Sequence, residues 1–413
     1  MIEIISLLSI LVAIIIGFTK NINVGLIALV FAFFLGTYLG NLEAKVLIGY
    51  WPMNLFFTTF GITLLFSVAK INGTLEKISN TIIFQSKGSK VLIQIIFYFL
   101  ALFIASIGPG NISTSALLLP IGMAIAHQSK MSLLVMSTLI ILGSIGGGLS
   151  PIAPNGIVAL ELARIHQVGD LGLTIYLLNV VSITLFALVF FASMKGFKSN
   201  GSNIEVTPSE PFDKKQKLTL LSILVLIIWV ILFKVHVGFA AFVLASILFI
   251  FEAADQKQAI AQVPWTTILL VCGTAILISV VSELGGIDLL TRFLATLMNE
   301  STAIPIMAIL SGVMSIFSSA VGVVMPTLIP TAVNLSNELS SVVSPAAITI
   351  TIALASHMTT MSPFSVMGAL ALASLPEGVN EKQLFKNLFI VSFVSLSFVA
   401  ILLGVFHRFG ILS

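Results

Sequence analysis

Residues 52–156 recur in the second half of this chain at a constant offset of 212. Pro52 pairs with Pro264, Gly61 with Gly273, Ser67 with Ser279 and Gly73 with Gly285. Further on, Ser150-Pro151 pairs with Ser362-Pro363 and Gly156 with Gly368; upstream, Val24-Gly25 pairs with Val237-Gly238 after a one-residue slip. Leu-on-Ile matches between two apolar segments carry little information. Gly and Pro answer to backbone requirements, so their recurrence at one offset marks a tandem duplication of one unit.

The unit belongs in a membrane. Hydrophobic residues make up 58% of the chain and charged residues 8%, against roughly 25% charged in a soluble domain. So few charges cannot cover a water-facing surface, which leaves the lipid bilayer as the partner. No basic patch lies on a soluble segment, so nucleic acid is not an expected partner. The single cysteine, Cys272, sits in an apolar stretch and reads as a packing residue. The first apolar run, Ile4–Phe18, lacks a basic flank and a small-x-small cleavage site, and reads as a retained helix rather than a signal peptide.

Spanning helices are expected near 4–19, 22–40 and 51–70, followed by an amphipathic interfacial segment at 71–88. Residues 91–127 are apolar but interrupted at Gly108-Pro109-Gly110-Asn111, which reads as a re-entrant hairpin. The stretch 131–168 is broken at 146–155, and a helix at 171–194 closes the first half. Residues 195–217 are the only long polar stretch and read as a linker. The second half repeats the plan: helices near 218–233, 236–252 and 264–283, an interfacial segment at 285–300 with Asp288 and Arg292, a hairpin at about 303–337, a broken helix at about 344–374 and a last helix at 385–406. The expected fold is thus an all-α polytopic membrane protein. It has two inverted five-helix repeats, 1–194 and 218–413, each with a re-entrant hairpin and a broken helix, joined by a cytoplasmic linker. An odd number of crossings per half inverts the second half, as in many secondary transporters.

Charge supports this threading. Of the 19 Lys and Arg, fourteen fall on one side and five (Lys45, Arg164, Lys234, Arg292 and Arg408) on the other, while the 16 acidic residues divide evenly. A bias in basic residues alone is the positive-inside pattern. It places the linker in the cytoplasm and both termini outside, across a plasma (inner) membrane.

Irregular backbone at membrane depth survives only where protein buries it or water reaches it. Four such places are expected: the hairpin tips at 108–114 and about 315–322, and the breaks at 146–155 and 356–365. Pro151, Pro154 and Pro363 each remove a donor and stop helix continuation. Freed carbonyls suit a cation, and resuming helix N-termini suit an anion. The candidate substrate-binding residues are Asn111, Ser113, Thr114, Pro154, Asn155, Ser318, Ser319, Thr360, Ser362 and Pro363. The candidate Na+ ligands are Ser106, Gly110, Asn111, Gly148 and Ser150. The breaks contain no Lys, Arg, Asp or Glu, which disfavours a proton antiporter built on an intramembrane carboxylate. His357 is open to two readings: a proton-coupling or substrate group, or a hydrogen-bonded structural residue. His127 reads as interfacial, and Glu161, Arg164 and His166 as a solvated helix end. No metalloprotease, nucleophile-elbow, P-loop or paired-cysteine motif is present, so neither an enzyme nor an ATP-driven pump is expected.

At these residues the chain resembles the ion transporter superfamily, most of all the divalent anion/sodium symporters and the malonate/dicarboxylate carriers. Those families carry Ser-Asn-Thr at each hairpin tip and a Thr-Pro-Pro-Asn-like break. Here Gly110-Asn111-Ile112-Ser113-Thr114 before Pro120, and Ser150 to Asn155, resemble the first tip and break; Ser318-Ser319-Ala320 before Pro326, and Ser362 to Ser365, are partial forms of the second pair. The resemblance implies a mobile transport domain, a dimerising scaffold, an elevator movement, and carriage of C4-type dicarboxylates or related anions with Na+ as coupling ion. It supports Asn111 and Asn155 as cation and carboxylate ligands. The reading reached is a secondary carrier of small (di)carboxylates, with a Na+/H+ antiporter or an oxyanion/arsenite exporter of the same superfamily as the alternative.

Overall fold

A computed structural model describes residues 1–20, 22–77, 81, 89–196, 211–233, 235–263, 265–317, 319–339, 342–376 and 379–412. Among them the regular structure is helical throughout. In the first half, α1 (Ile2–Lys20), α2 (Val24–Phe34, continued by a π turn at Leu35–Leu39), α3 (Ala44–Gly49) and α4 (Met53–Ile71) are followed by α5 (Lys90–Ser106) and α6 (Gly110–Gln128). Then come α7 (Leu133–Gly148), α8 (Pro154–Ile165) and α9 (Gly172–Ser193). The second half opens with α10 (Lys214–Phe233), α11 (Val237–Ile250), α12 (Gln256–Ala261), α13 (Trp265–Glu283), α14 (Gly286–Leu297) and α15 (Ala303–Phe317). A π turn at Ala320–Val324 leads through α16 (Met325–Leu328) to α17 (Ala332–Glu338); α18 (Pro345–Met358), α19 (Val366–Ala373) and α20 (Glu381–Arg408) complete the chain.

The expected helices, hairpins and breaks fall on these elements. Two short helices, α3 and α12, were not expected, because six residues are too few to announce themselves by periodicity. They too sit 212 residues apart, and so do the residues before them, Glu43 and Asp255. Most of the expected interfacial segment at 71–88 and of the linker at 195–217 lies outside the described residues. The segment at 285–300, expected to be interfacial, contains α14, which turns away from α13 by 80°.

The matched glycines explain themselves. Gly73 and Gly285 both have left-handed backbone, with φ of 73° and 77°, a region that favours glycine. Gly25 of α2 packs on the Leu269 carbonyl of α13, and Gly238 of α11 packs on the Phe57 carbonyl of α4; a Cβ at either glycine would collide with that oxygen. Leu269 is Phe57 plus 212, so one crossing becomes the other when the halves are exchanged. Gly61 on the Gly238 carbonyl and Gly273 on the Gly25 carbonyl repeat the reciprocity. The small residues let two backbones touch, as at many helix interfaces in lipid.

Large apolar side chains stay exposed on the longest helices, among them Leu173 and Leu188 on α9 and Ile401 on α20. Such faces fit hydrocarbon, not water. Among the described residues three helices are long and apolar enough to cross a membrane, or four with the bent α13–α14 pair; seven more apolar helices run 10–17 residues. The stretch Ala320–Glu338 is one of these three, yet most of it is buried inside the protein, as suits the return arm of a hairpin. The chain is a membrane protein.

Candidate functional site

The two breaks share one backbone form. After α7, Ser150 N–H donates to the Gly147 carbonyl at 3.0 Å and Ala153 N–H to the Ser150 carbonyl at 2.9 Å. After α18, Ser362 N–H donates to the Thr359 carbonyl at 3.2 Å and Ser365 N–H to the Ser362 carbonyl at 2.9 Å. Ser150 Oγ then accepts from Ile152 N–H, and Ser362 Oγ from Phe364 N–H. Gly156 and Gly368 press on the Ser150 and Ser362 carbonyls and leave no room for a side chain. Each helix before a break starts at a matched serine cap: Ser132 accepts from Val135 N–H and Ser344 from Ala347 N–H.

Each hairpin is pinned to the helix before its break. In the first, Ser115 of α6 bonds Ser144 of α7 at 2.9 Å. In the second, Ser315 of α15 donates to the Ser356 carbonyl of α18 at 2.6 Å. Ser315 lies inside α15, so the second tip is narrower than the sequence range and begins after Phe317. At the first tip, Gly110 lies against Pro154: a Cβ there would stand 2.8 Å from Pro154 Cδ. The absent side chain lets tip and break touch.

Where they touch, the amides meet. Asn155 Nδ2 donates to Asn111 Oδ1 at 3.1 Å and contacts His357 Nδ1 at 3.4 Å; Asn111 Oδ1 also accepts from Ile112 N–H at 3.0 Å. Both asparagines are buried, with 4% and 5% of their surface exposed, and both line a cavity of about 480 Å³. That size is ordinary for a small-molecule site. The second half contributes Ser319, Thr360 and Ser365, and Ile14, Val24 and Leu270 form part of an apolar wall. No lining residue carries a charge. The starts of α6, α8, α19 and the π turn at Ala320 all reach this cavity through Asn111, Asn155, Val366 and Ala320. Helix N-termini offer free N–H groups and partial positive charge.

Of the expected substrate ligands, Asn111, Asn155, Ser319 and Thr360 line the cavity. Pro154 stands behind it, in a narrow cleft with Asn155 and Val321. Thr114 is buried with a hydroxyl that has no partner among the described residues. Ser362 and Pro363 build the second turn instead of facing the cavity, Ser113 is half-buried away from it, and Ser318 lies outside the described residues. Among the expected Na+ ligands, Gly148 adjoins Asn111 and His357, and Gly110 adjoins Pro154. Ser150 is buried at the break, while Ser106, at the tip end of α5, is bonded to the Leu102 carbonyl and to Tyr176. Sequence reasoning did not anticipate Ile14, Val24 and Leu270. They are ordinary apolar residues on distant helices, and no local signal marks them.

A second cavity of about 670 Å³ lies by Thr58, Pro151, Glu161, Arg164 and His236. Thr58 and Pro151 are the repeat mates of Leu270 and of Pro363, which precedes the cavity residue Phe364. His236 caps α11 as Asn23 caps α2. This cavity therefore occupies the matching place in the other half, but with charged lining. Its Glu161 and Arg164 form an ion pair at 2.5 Å, at the helix end expected to be solvated.

Residues 1–148 match the family model described as the dicarboxylate carrier protein MatC N-terminus. No curated protein matches the chain. Among solved structures, the YdaH transporter of Alcanivorax borkumensis is similar in fold, with a TM-score of 0.61 and 13% sequence identity over 89% of this chain and 90% of that one. The N-terminal match agrees with the resemblance to malonate/dicarboxylate carriers read from the sequence, and the structural likeness shows a shared fold.

Proposed function

We propose that the protein is a secondary active carrier of small dicarboxylates, coupled to Na+ and working by an elevator movement. The observation that carries this reading is the cavity itself. It gathers two hairpin tips and two helix breaks, from both halves, around neutral oxygen and amide groups. The N-terminal match to a dicarboxylate carrier model supports the substrate class. Helix N-termini and hydroxyls would hold the anion in place of basic side chains, and amide and carbonyl oxygens suit a hard cation such as Na+. The reciprocal glycine crossings support inverted repeats, with the two cavities as access routes from opposite sides. The central cavity reaches Gly17 and Val24, beside Lys20. On the positive-inside assignment, with both termini outside a plasma membrane, that end is cytoplasmic. A homodimer joined through the scaffold helices follows the family resemblance.

The test is uptake of labelled succinate and malonate into proteoliposomes with an inward Na+ gradient, a proton gradient, or neither. Saturable uptake driven by Na+ is expected. Non-saturating conductance, or no uptake under any gradient, would remove the dicarboxylate carrier reading.

A further inference from the structure

We propose that His357 is the positioning residue of the cavity: reaching across from the second half, it fixes which end of the Asn155 amide meets the ligand. This deepens the carrier reading above and rests on it. His357 closes α18 and is fully buried. Its ring lies against Gly148, where a Cβ would stand 2.8 Å from Nε2, so only a glycine at the end of α7 admits it. Nε2 is turned to that last turn of α7, beside Gly148 and toward the Ile145 carbonyl, without a well-formed hydrogen bond to it. Nδ1 meets Asn155 Nδ2 at 3.4 Å. The contact is with an N–H donor, so Nδ1 acts as the acceptor and the ring hydrogen sits on Nε2.

The consequence falls on Asn155. Its Nδ2 carries two hydrogens, and both are engaged, one by Asn111 Oδ1 at 3.1 Å and one by His357 Nδ1. The end left over is Oδ1, on a residue that lines the cavity. An amide held this way presents an acceptor, which a cation needs and a carboxylate does not. Without His357, Asn155 keeps a single tether, to Asn111, and its amide is less firmly held. A held ligand group exceeds a loose one because its ordering cost is met by its neighbours.

The fold does not require the imidazole. The matching position in the first half is Ile145, an aliphatic residue on the same backbone. Burying a ring N–H that meets the Ile145 carbonyl only in poor geometry is unfavourable, and an aliphatic side chain at 357 would avoid it. The neighbours are complementary: Gly148 in the first half gives the ring its space, whereas its mate Thr360 lines the cavity.

The test uses full-length protein in two assays: Na+ titration of dicarboxylate uptake in proteoliposomes, and the shift in melting temperature on exchanging choline for Na+ in detergent. His357→Asn keeps an acceptor near the place of Nδ1, whereas His357→Leu fills similar space without one. The expected result is that H357L raises the half-saturating Na+ concentration about tenfold in both assays, changes maximal uptake little, and keeps the wild-type melting temperature in choline. H357N is expected to stay within about threefold of wild type. Equal loss in H357N and H357L, or an unchanged Na+ response in H357L, would overturn the proposal. Should H357L fail to fold, H357N against His357→Gln, whose amide falls near Nε2, decides: equal Na+ responses overturn the proposal, and a tenfold gap sustains it. Uptake without any Na+-dependent melting shift would overturn it and leave the carrier reading standing. The expected melting shifts without dicarboxylate uptake would sustain it and remove the carrier reading alone.

Discussion

The two halves of this molecule make the same turn with different chemistry. Around Ser150 and Ser362 the hydrogen bonds, the proline and the close-packed glycine correspond one for one. The amides do not. Asn111 and Asn155 of the first half have Val323 and Met367 as mates, and all four residues line the same cavity. Duplication thus preserved what holds a broken helix together and released what faces the cavity. The Ser and Gly of the turns satisfy backbone groups that have no other partner in lipid. The side chains facing the cavity are free of that demand, so they diverged.

The comparison is broken most directly at the amides. Asn155→Ala removes the donor to Asn111 and the contact to His357, and is expected to lower dicarboxylate uptake by roughly a hundredfold. Asn111→Ala should do nearly the same. Met367→Ala and Val323→Ala are expected to change uptake by no more than about threefold, since they only widen an apolar wall. Uptake of the four variants in proteoliposomes, normalised to inserted protein, checks this. Comparable losses in all four would mean that both halves bind the ligand alike.

A second contrast concerns the reciprocal helix crossings, where the halves should behave alike. Gly25→Ala and Gly238→Ala each push a Cβ into a backbone carbonyl of the facing helix. Overpacking of this kind costs about 1–3 kcal/mol, so both variants should melt earlier in detergent and by similar amounts. Gly49→Ala is the control, because nothing lies within 4 Å of its Cβ position. A large shift in one crossing variant only would break the equivalence of the halves.

How much of this was legible beforehand follows from where each constraint acts. The breaks, the hairpin turn and the duplication were readable because Gly and Pro report backbone geometry locally. Asn111 and Asn155 stood out because an amide in hydrocarbon needs partners, and each turned out to be the other's partner. The shared serine caps at Ser132 and Ser344 carry the same offset and were open to the same inspection. The wall of Val24 and Leu270 was not legible, since its residues are apolar side chains brought together by helix crossings. Nor was the reach of His357 into the opposite half. Its own helix gives no hint of Gly148, and only the fold puts a glycine where the ring needs space.

Hairpin docking gives a finer contrast. Ser115 meets a hydroxyl, Ser144 Oγ, whereas Ser315 meets a backbone carbonyl, Ser356 O. Removal of either hydroxyl costs about 1 kcal/mol, but the remainder differs. In Ser115→Ala, Ser144 keeps its own bond to the Ile140 carbonyl. In Ser315→Ala, the Ser356 carbonyl retains Thr359 Oγ1 at 3.2 Å as a weaker donor. The melting shift should therefore be somewhat larger for S315A than for S115A, and a reversed order would show that the two hairpins are not held as their bonds suggest.

The smallest expected effect tests the left-handed glycines. Gly73 ends α4 and Gly285 separates α13 from α14 at matched positions, with nearly equal φ. A Cβ at Gly285 would stand 3.2 Å from Glu3 Cγ, while at Gly73 the nearest atom is Gln216 Nε2 at 3.7 Å. Alanine at either position pays the same backbone strain, about 1 kcal/mol. Only Gly285→Ala also presses on Glu3, whose carboxylate pairs with Arg292 at 3.2 Å. That pair is exposed, so little is lost through it. Melting temperatures of G73A and G285A should thus fall by similar small amounts, with G285A slightly lower. Adding Glu3→Ala to G285A should recover the difference, since it removes the crowding atoms and leaves the backbone strain alone. A G285A shift that E3A does not change would assign the whole effect to φ and make the two glycines equivalent.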